Sequence, residues 1–247
     1  MFLDAFIFFL ICFHILWVSF ALLVHRSIMH GHFIVNEKLE HVFRFFLWLG
    51  MGLAFTNWAQ HLTAQHRKHH LFSDTEQDPF SPYMYEFFQM FDYKHNEPGR
   101  PFYISPDDVK KYASDVKVYD SWVEINLYQK YPKLGLSVLW IIYTLLFGIG
   151  GFVIGAIHRF LITEIIILVA NYGTHKVGFR YVDLGPVDKA VNTFPIGILM
   201  AGEELHANHH KYPEKINYAI RWFEFDIGYW YARFFISLGL MKIKQVK

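Results

Sequence analysis

The stretch FLDAFIFFLICFHILWVSFALLV, from Phe2 to Val24, is an apolar run in which Asp4 is the one charged residue. A helix needs about 20 such residues to cross a hydrocarbon core of about 30 Å, so the run predicts a transmembrane helix. A secretory signal peptide is the alternative. It lacks support, because the basic first region is missing and no small-residue cleavage site precedes His25.

Two further apolar stretches follow late in the chain, LGLSVLWIIYTLLFGIGGFVIGA at 134–156 and FLITEIIILVANY at 160–172. His158 and Arg159 are the strongly polar residues between them, so we expect a helical hairpin with spans at about 134–156 and 158–174. Two buried helices of a soluble bundle are the alternative. Because 53% of the residues are hydrophobic and 19% aromatic, more than soluble domains carry, we favour the membrane.

Three histidine clusters come directly after these apolar stretches or between them. They are His25 with His30, then HRKHH, then HANHH. In an α-helix, residues at i, i+3 and i+4 lie on one face, so each HxxHH can direct its imidazoles to a common centre. Neutral imidazole binds zinc, copper, iron and nickel, so the pattern predicts two metal ions without identifying the element. The eight candidate ligands are His25, His30, His66, His69, His70, His206, His209 and His210.

Membrane topology follows from the need to bring these clusters together. The apolar stretch at 45–58 lies between two clusters that must share one side of the membrane, so we expect it to be re-entrant or interfacial. The hairpin crosses twice and returns the third cluster to that side. Several basic residues flank that side, which the positive-inside rule assigns to the cytosol; these are Arg26, Lys38, Arg44, Arg67 and Lys68.

The expected fold is therefore an all-α membrane protein forming a single domain over 1–247. It has about three transmembrane helices, at 2–24, 134–156 and 158–174, and one re-entrant or interfacial helix at 45–58. A cytosolic helical cap, at 59–133 and 175–247, carries the histidine clusters. Within the cap, Ser105 followed by Pro106 predicts the start of a helix.

Composition excludes several other classes of protein. Cys12 is the one cysteine, so neither a disulfide framework nor a cysteine-ligated iron–sulfur cluster can form within the chain. The formal net charge is +1, which gives no basic excess for a nucleic-acid partner.

The order and context of the clusters resemble those of the membrane-bound fatty acyl desaturases, especially the Δ9 acyl-CoA desaturase branch. HRSIMH, starting at His25, is similar to the family's H-x4-H box at the end of a span. HRKHH followed by SDTEQDP resembles the second box, and GEELHANHHKYP resembles the third. The resemblance covers roughly residues 20–83 and 155–240.

A further element of the resemblance is NYGTH, from Asn171 to His175. In this family an N-x3-H at that place supplies a ninth histidine ligand and an asparagine that reaches one metal through water. The resemblance therefore implies that His175 is a metal ligand and that Asn171 acts through water. Taken alone, His175 would more often be a surface or core residue.

The chain also departs from the family pattern. Many relatives have two spans before the first box, whereas here one apolar segment precedes His25. The chain has HLTAQHRKHH and DPF, where many relatives have a tryptophan shortly before the box and DPH after it. Preferences for head group and chain length are therefore not transferred.

The resemblance implies a catalyst that uses two iron ions, with O2 as co-substrate, to remove two hydrogens from an acyl chain. It requires no acid or base beyond the metal ligands. The substrate would be an acyl-CoA, an acyl carrier protein or a membrane lipid, and a separate protein of ferredoxin or cytochrome b5 type would supply electrons. We expect a bacterial cytoplasmic membrane rather than the endoplasmic reticulum. The acyl carrier, double-bond position and oligomeric state stay open.

Two sets of neighbouring residues have two interpretations each. Glu203 and Glu204 precede the third box and either accept hydrogen bonds from ligand imidazoles or form a solvated helix start. Four aromatic residues either line an acyl tunnel or serve as packing and interfacial anchors; they are Trp58, Trp222, Phe223 and Tyr229.

Two other functions compete with desaturation. Lipid or carotenoid hydroxylases and ketolases use related histidine boxes, but the contexts SDTEQDP and GEELHANHH favour desaturation. A membrane metal-binding or transport protein is the alternative of another class. It would place polar ligands near the middle of its spans, whereas these clusters lie at span ends or beyond them.

Overall fold

The computed structural model describes residues 1–91 and 97–244, apart from the side chains of Phe91 and Ile167. The described chain is mostly helical. Its helices are α1 (Phe2–Ser19), α2 (Glu37–Met51), α3 (Phe55–Phe72), α4 (Pro106–Ala113), α5 (Pro132–Ile167), α6 (Thr174–Lys176), α7 (His206–Lys211) and α8 (Ile227–Ser237). A 3-10 turn covers Phe87–Phe91, and π-helical segments cover Phe20–Met29, Glu124–Gln129 and Leu168–Gly173.

Four short strands qualify the all-α expectation. They are β1 (Phe33–Val35), β2 (Ile196–Gly197), β3 (Phe225–Asp226) and β4 (Met241–Ile243). β1 pairs antiparallel with β4, in the register Phe33 to Ile243, and β2 pairs parallel with β3. Both pairs join segments late in the chain to earlier ones. Periodicity cannot predict strands of only two or three residues.

The first predicted span is confirmed as a helix. α1 and the π-helical segment after it form one continuous apolar helix over Phe2–Met29, long enough to cross a membrane. Its first turns expose Leu3 and Ile7, while Leu22, Leu23 and Val24 are almost fully buried in the main core. The helix therefore anchors its C-terminal end, which carries His25, inside the folded protein.

The second long apolar helix, α5, folds back on itself at Gly148, where φ is 56° and ψ is −133°. The two arms, 132–147 and 149–167, contact each other. The Trp140 indole donates to the Phe152 carbonyl at 2.9 Å, and the Tyr143 hydroxyl lies 3.2 Å from His158 Nδ1. The hairpin is thus present in shape, but the turn predicted at His158 and Arg159 is wrong.

Two physical reasons explain the displaced turn. The run FGIGG at 147–151 supplies the positive φ and lets the two arms approach closely. His158 is buried in the second arm because its two ring nitrogens reach the Tyr143 hydroxyl and the Gly50 carbonyl, at 3.2 and 2.9 Å. In the described residues two helices, Phe2–Met29 and Pro132–Lys176, are long and apolar enough to span a membrane. Three crossings stay a prediction.

The ambiguous stretch at 45–58 is not one helix. α2 ends at Met51, Gly52 adopts φ +70°, and α3 begins at Phe55. α2 carries the buried side chain of Arg44, which lies 2.8 Å from the carboxylate of Glu124. The position of this stretch relative to the membrane stays a prediction.

The cap contains the helix start predicted at Ser105. α4 begins at Pro106, and the Ser105 hydroxyl accepts the backbone N–H of Asp108 at 3.1 Å, as an N-cap does. This prediction is confirmed. The cap limits at 59–133 and 175–247 stay a prediction, and their residues 92–96 and 245–247 lie outside the described part of the chain.

We expect Gly151→Ala to destabilise the hairpin, because an added Cβ would overlap the Tyr143 carbonyl group of the facing arm. Overpacking of this kind costs about 1–3 kcal/mol, and each kcal/mol lowers the melting temperature of a chain this size by about 2–4 °C. Thermal unfolding in detergent measures the effect. Gly173→Ala is the matched control, since its Cβ would meet no heavy atom closer than 3.4 Å. Equal stability of the two variants would contradict the close approach of the arms.

Candidate metal centre

Nine histidines form two adjacent groups. Within each group, one ring nitrogen of every histidine lies within 4.8 Å of the others. The first group consists of His25, His30, His66, His70 and His209; the second consists of His69, His175, His206 and His210. All eight histidines predicted from the clusters, together with His175 from NYGTH, are brought together here.

His25 and His30 are aligned by the π-helical segment that ends α1. Residues five apart are about 140° apart around an α-helix, but a π-helix closes its hydrogen bonds from i to i+5 and places them above each other. The backbone N–H of His30 donates to the carbonyl of His25 at 3.1 Å. Both imidazoles then reach Nε2 of His66, at 3.0 and 2.8 Å. The H-x4-H spacing therefore has a geometric cause.

Each HxxHH motif is divided between the two groups. In α3, His66 and His70 belong to the first group, whereas His69 points into the second. In α7, His209 belongs to the first group, whereas His206 and His210 belong to the second. The expectation that one motif serves one common centre is thus wrong. Imidazoles at i and i+4 share a target, and the third side chain, about 100° away, reaches the neighbouring one.

The second group has a donor geometry that favours a cation. His69 donates its Nδ1–H to Asp78 at 2.8 Å, and His210 donates its own to Asp188 at 2.8 Å. A neutral imidazole bears one proton, so each Nε2 then presents a lone pair. These two Nε2 atoms lie 3.2 Å apart. Two facing lone pairs repel each other, and either a bound cation or a proton on His69, whose pKa Asp78 raises, removes the repulsion.

The first group leads to the same conclusion by counting. Nε2 of His66 lies 2.8–3.0 Å from Nε2 of His25, His30 and His70. A single ring nitrogen cannot form three hydrogen bonds. Nitrogens bound to one divalent ion at about 2.1 Å and at right angles lie about 3.0 Å apart, which matches these separations. The residues present therefore fit a metal ion in each group.

Burial keeps six of these imidazoles in the neutral form that binds metal; they are His30, His66, His70, His206, His209 and His210. Desolvation and the neighbouring imidazoles lower the pKa of His66 and of His206 well below the usual range. Both side chains are therefore neutral at pH 7, as coordination requires. His69 differs, because burial lowers its pKa but the carboxylate of Asp78 outweighs burial and raises it.

Asn171 lies near the second group but outside it. It lies in the π-helical segment that follows α5 and lines the same cavity as His206 and Thr174. The Thr174 hydroxyl contacts the Asn171 carbonyl at 3.3 Å. Its action through water stays a prediction.

The two glutamates before the third box have different partners. Glu203 is buried with its carboxylate 2.5 Å from Nδ1 of His25, which is the contact expected of a residue that orients a ligand. Glu204 is also buried, but it accepts the backbone N–H groups of Met200 and Gly202 and holds the loop before α7. Neither residue forms a solvated helix start.

Sequence reasoning missed three aspartates that hold ligand imidazoles. They are Asp74, which accepts from His175 at 3.0 Å, together with Asp78 and Asp188. Asp74 and Asp78 belong to the SDTEQDP segment quoted for the resemblance, so a signal existed. Asp188 stands in an irregular segment with no motif around it, and the sequence offered no signal.

The loop that carries Asp74 and Asp78 is itself fixed by hydrogen bonds. Asp78 accepts the backbone N–H groups of Asp74 and Phe80, each at 2.8 Å, and Ser81 donates to Asp74 at 2.8 Å. Asp74 has φ +58°, a left-handed conformation that a non-glycine residue adopts at a cost. The strain is balanced by the bonds that aim both carboxylates at the histidines.

A buried ion pair ties the first box to the end of the chain. Arg26 and Asp226 are fully buried, and the guanidinium donates to the carboxylate at 3.0 Å and lies 4.1 Å from the ring centre of Tyr218. Asp226 also accepts the backbone N–H of Tyr229 and so caps α8. This contact fixes His25 relative to the segment that follows the third box.

A cavity of about 790 Å³ opens beside both groups, and its lining includes His25, His66, His69 and His206. Most of the remaining lining is apolar, with Trp17 and Phe20 of α1 on one side. This volume and lining are typical of sites for small ligands. Of the four candidate tunnel aromatics Trp58 lines the cavity, whereas the Trp222 side chain is 95% exposed and lies outside it.

The described histidines outside the motifs lie outside both groups, and His95 lies outside the described part of the chain. His61, five residues before His66 in the sequence, lines the cavity and hydrogen-bonds the Asn57 carbonyl at 2.9 Å. His32 contacts the Pro213 carbonyl, and His14 contacts the Tyr231 hydroxyl. Each of these three rings has a hydrogen-bond partner in the protein.

Comparison with known proteins finds the same kind of enzyme repeatedly, although no protein-family model matches the chain. The chain is 29% identical to an sn-1 stearoyl-lipid 9-desaturase of Anabaena variabilis, over 87% of this chain and 74% of the relative. It is 27% identical to an sn-2 palmitoyl-lipid 9-desaturase of Nostoc, over 91% and 75%. An icosanoyl-CoA 5-desaturase of Limnanthes douglasii is 26% identical, over 91% and 63%.

We expect Asp78→Asn to weaken metal binding by about 10- to 100-fold, because the carboxylate that fixes the His69 ring and holds its Nδ1–H is lost. Metal retained against a graded chelator, measured by elemental mass spectrometry, tests this. Asp107→Asn, an exposed aspartate in the first turn of α4, is the control and should retain metal as the wild type does. Unchanged retention in Asp78→Asn would show that this carboxylate does not support the site.

Proposed function

Because the chain is a relative of the fatty acyl desaturases, and so an oxidoreductase acting on fatty acids, we propose the following reaction. The enzyme introduces a cis double bond, at the Δ9 position, into a saturated acyl chain. It uses O2 and a di-iron centre held by the nine histidines, with Asn171 reaching one iron through water.

The convergence of nine imidazole nitrogens beside an apolar cavity is the observation that supports this proposal. Breaking an unactivated C–H bond needs an oxidant, which side-chain acids and bases do not supply. Two iron ions bound in the two groups would supply the activation of O2 that this chemistry requires.

The protein's own residues have three tasks in this proposal. The nine histidines present lone pairs, and Asp74, Asp78, Asp188 and Glu203 fix the rings by contacts to Nδ1. The cavity holds a chain of methylenes against His25 and His206 and excludes water from it. For each turnover, one acyl chain loses two hydrogens, two electrons and two protons enter, and O2 leaves as two water molecules.

The Δ9 position is favoured by the names of two relatives, a stearoyl-lipid 9-desaturase and a palmitoyl-lipid 9-desaturase. Another relative acts on an acyl-CoA and has a 5-desaturase name, so the acyl carrier is not assigned by similarity. An acyl-CoA, an acyl carrier protein and a membrane lipid each present the apolar chain that the cavity fits.

We place the enzyme in a membrane, as a multi-pass protein with its histidines on the cytosolic side. Two apolar helices of spanning length support this, as do the basic residues near the first two boxes. A bacterial cytoplasmic membrane is favoured over the endoplasmic reticulum, in keeping with the cyanobacterial relatives. Electrons come from a separate protein of ferredoxin or cytochrome b5 type.

Expression in a host that lacks its own desaturase should give a new monoene with its double bond at Δ9, and His209→Ala should abolish it. Mass spectrometry with double-bond localisation measures both. Desaturation lowers the mass of the acyl chain by about 2 Da, whereas hydroxylation raises it by about 16 Da. A hydroxylated lipid would assign the chain to the related oxygenases. Altered cellular metal with unchanged lipids would instead indicate a metal-binding or transport protein.

We expect the two groups to hold one iron each, so His66→Ala and His206→Ala should each reduce the bound iron from about two ions per chain to about one. Both variants should lose product formation, since the two ions act together. Metal analysis of purified protein measures the stoichiometry. His61→Ala, which changes a cavity histidine outside both groups, is the control and should retain full occupancy. Full occupancy in the first two variants would contradict the assignment of ligands.

A further inference from the structure

One ligand of the metal centre has a route to the surface. Four carboxylates contact ligand imidazoles, and their side-chain exposures are 0% for Asp78, 1% for Asp74, 9% for Glu203 and 18% for Asp188. Asp188 therefore connects His210 to solvent through one hydrogen bond of 2.8 Å. The other three are enclosed by protein.

The surface around Asp188 is rich in cations. Six basic side chains belong to the segment that contains it, 176–189, and to the segment 211–221, which contacts the first through Lys211 and Arg221. We call this region the Arg180 surface, and its cations are Lys176, Arg180, Lys189, Lys211, Lys215 and Arg221.

Three of these cations are held in place by contacts to backbone carbonyls. Arg180 donates to the Asp188 carbonyl at 2.8 Å, Lys189 to the Pro186 carbonyl at 2.5 Å and Lys211 to the Asp183 carbonyl at 2.6 Å. Carbonyl partners leave the positive charges uncompensated. The carboxylates in the same segments are Asp183, Asp188 and Glu214, so the surface carries an excess of positive charge.

Apolar side chains are exposed among the cations. Val177, Tyr181 and Val187 are exposed, and the Trp222 side chain follows Arg221 with 95% of its surface accessible. Exposed aromatic and aliphatic groups bordered by cations are typical of a surface that binds a protein of opposite charge. The cations steer the partner, and the apolar groups form the contact.

We propose that an acidic one-electron carrier protein docks on the Arg180 surface and delivers electrons to the metal centre by way of Asp188 and His210. The inference rests on the proposed function, because desaturation consumes two electrons for each double bond. Two reduced carriers are each oxidised by one electron per turnover. The two electrons from the carriers, two protons from solvent and the two hydrogens of the acyl chain convert O2 to two water molecules.

The position of this surface favours a carrier protein over a lipid headgroup. The chain contains one cysteine and so cannot hold a cysteine-ligated cluster of its own. The separate electron carrier of the proposed function would meet the chain at an exposed surface. Among the four carboxylates that hold ligand rings, Asp188 has the greatest exposure, and Arg180 and Lys189 belong to the same segment. An anionic lipid is the competing occupant, and the experiment below distinguishes lipid binding from carrier binding.

The test uses the full chain in nanodiscs of neutral lipid. The charge is reversed at two cations that are not neighbours of a metal-ligand histidine in the sequence. These variants are Arg180→Glu with Lys215→Glu, and the neutral pair Arg180→Gln with Lys215→Gln gives an intermediate charge. Lys130→Glu with Lys133→Glu, at the start of α5, is the matched control, since both lysines are exposed. The probes are a plant-type [2Fe–2S] ferredoxin and cytochrome b5.

The first readout is the dissociation constant of each oxidised carrier for the oxidised, iron-loaded chain at several salt concentrations. We expect about tenfold weaker binding in the reversed pair, a smaller loss in the neutral pair and none in the control. The second readout is the rate at which each reduced carrier reduces the iron-loaded centre, which should fall in parallel. Reduction by dithionite needs no docking and should stay unchanged.

Equal affinity and equal reduction rates in the wild type and the reversed pair would overturn the proposal. The proposal would also fail if the reversed pair bound both carriers normally and lost only its binding to vesicles that contain anionic lipid, because the surface would then bind the membrane. If carriers bind and reduce the centre as expected but no acyl chain loses hydrogen with any reductant, the docking surface stands and the desaturase assignment fails.

Discussion

The structure depends on aiming nine imidazoles at two points inside the fold. Lone pairs at 2.8–3.2 Å repel each other, and without a cation the folded chain would be strained at its centre. The chain meets this constraint with an inner ring of nitrogens and an outer set of carboxylates that hold the Nδ1 protons outward. Much of the remaining fold can be understood as support for that outer set, including the strained turn at Asp74 and the buried pair of Arg26 and Asp226.

The centre has two different surroundings on its two sides. His25, His66, His69 and His206 line an apolar cavity, whereas His210 contacts an aspartate that reaches solvent. A hydrophobic substrate and a charged protein therefore need not compete for one entrance. Each HxxHH motif contributes to both groups, so the two ions would share the rigidity of α3 and α7.

The sequence predicted the eight cluster histidines, the first apolar helix and the helix start at Ser105 because each depends on local spacing. His175 came from the resemblance, because a lone histidine has no periodic signal. The division of each motif between two groups was not predictable, since helical spacing allows one target or two. The π-helical turn under His25 and His30 was also hidden, although their five-residue separation fits an i to i+5 ladder. The polar pair His158 and Arg159 does not mark the hairpin turn, because His158 has buried partners and Gly148 supplies the backbone conformation of the turn.

The two histidine groups join segments that are far apart along the chain. His25 contacts His66 across 41 residues and His209 across 184. An ion bound there closes long loops in the manner of a disulfide, and the entropy of the unfolded chain falls as those loops are closed. A chain with a single cysteine has no disulfide framework of its own. Its metal centre would therefore cross-link distant segments as a disulfide does, so that loss of the ions would destabilise the fold as well as stop the chemistry.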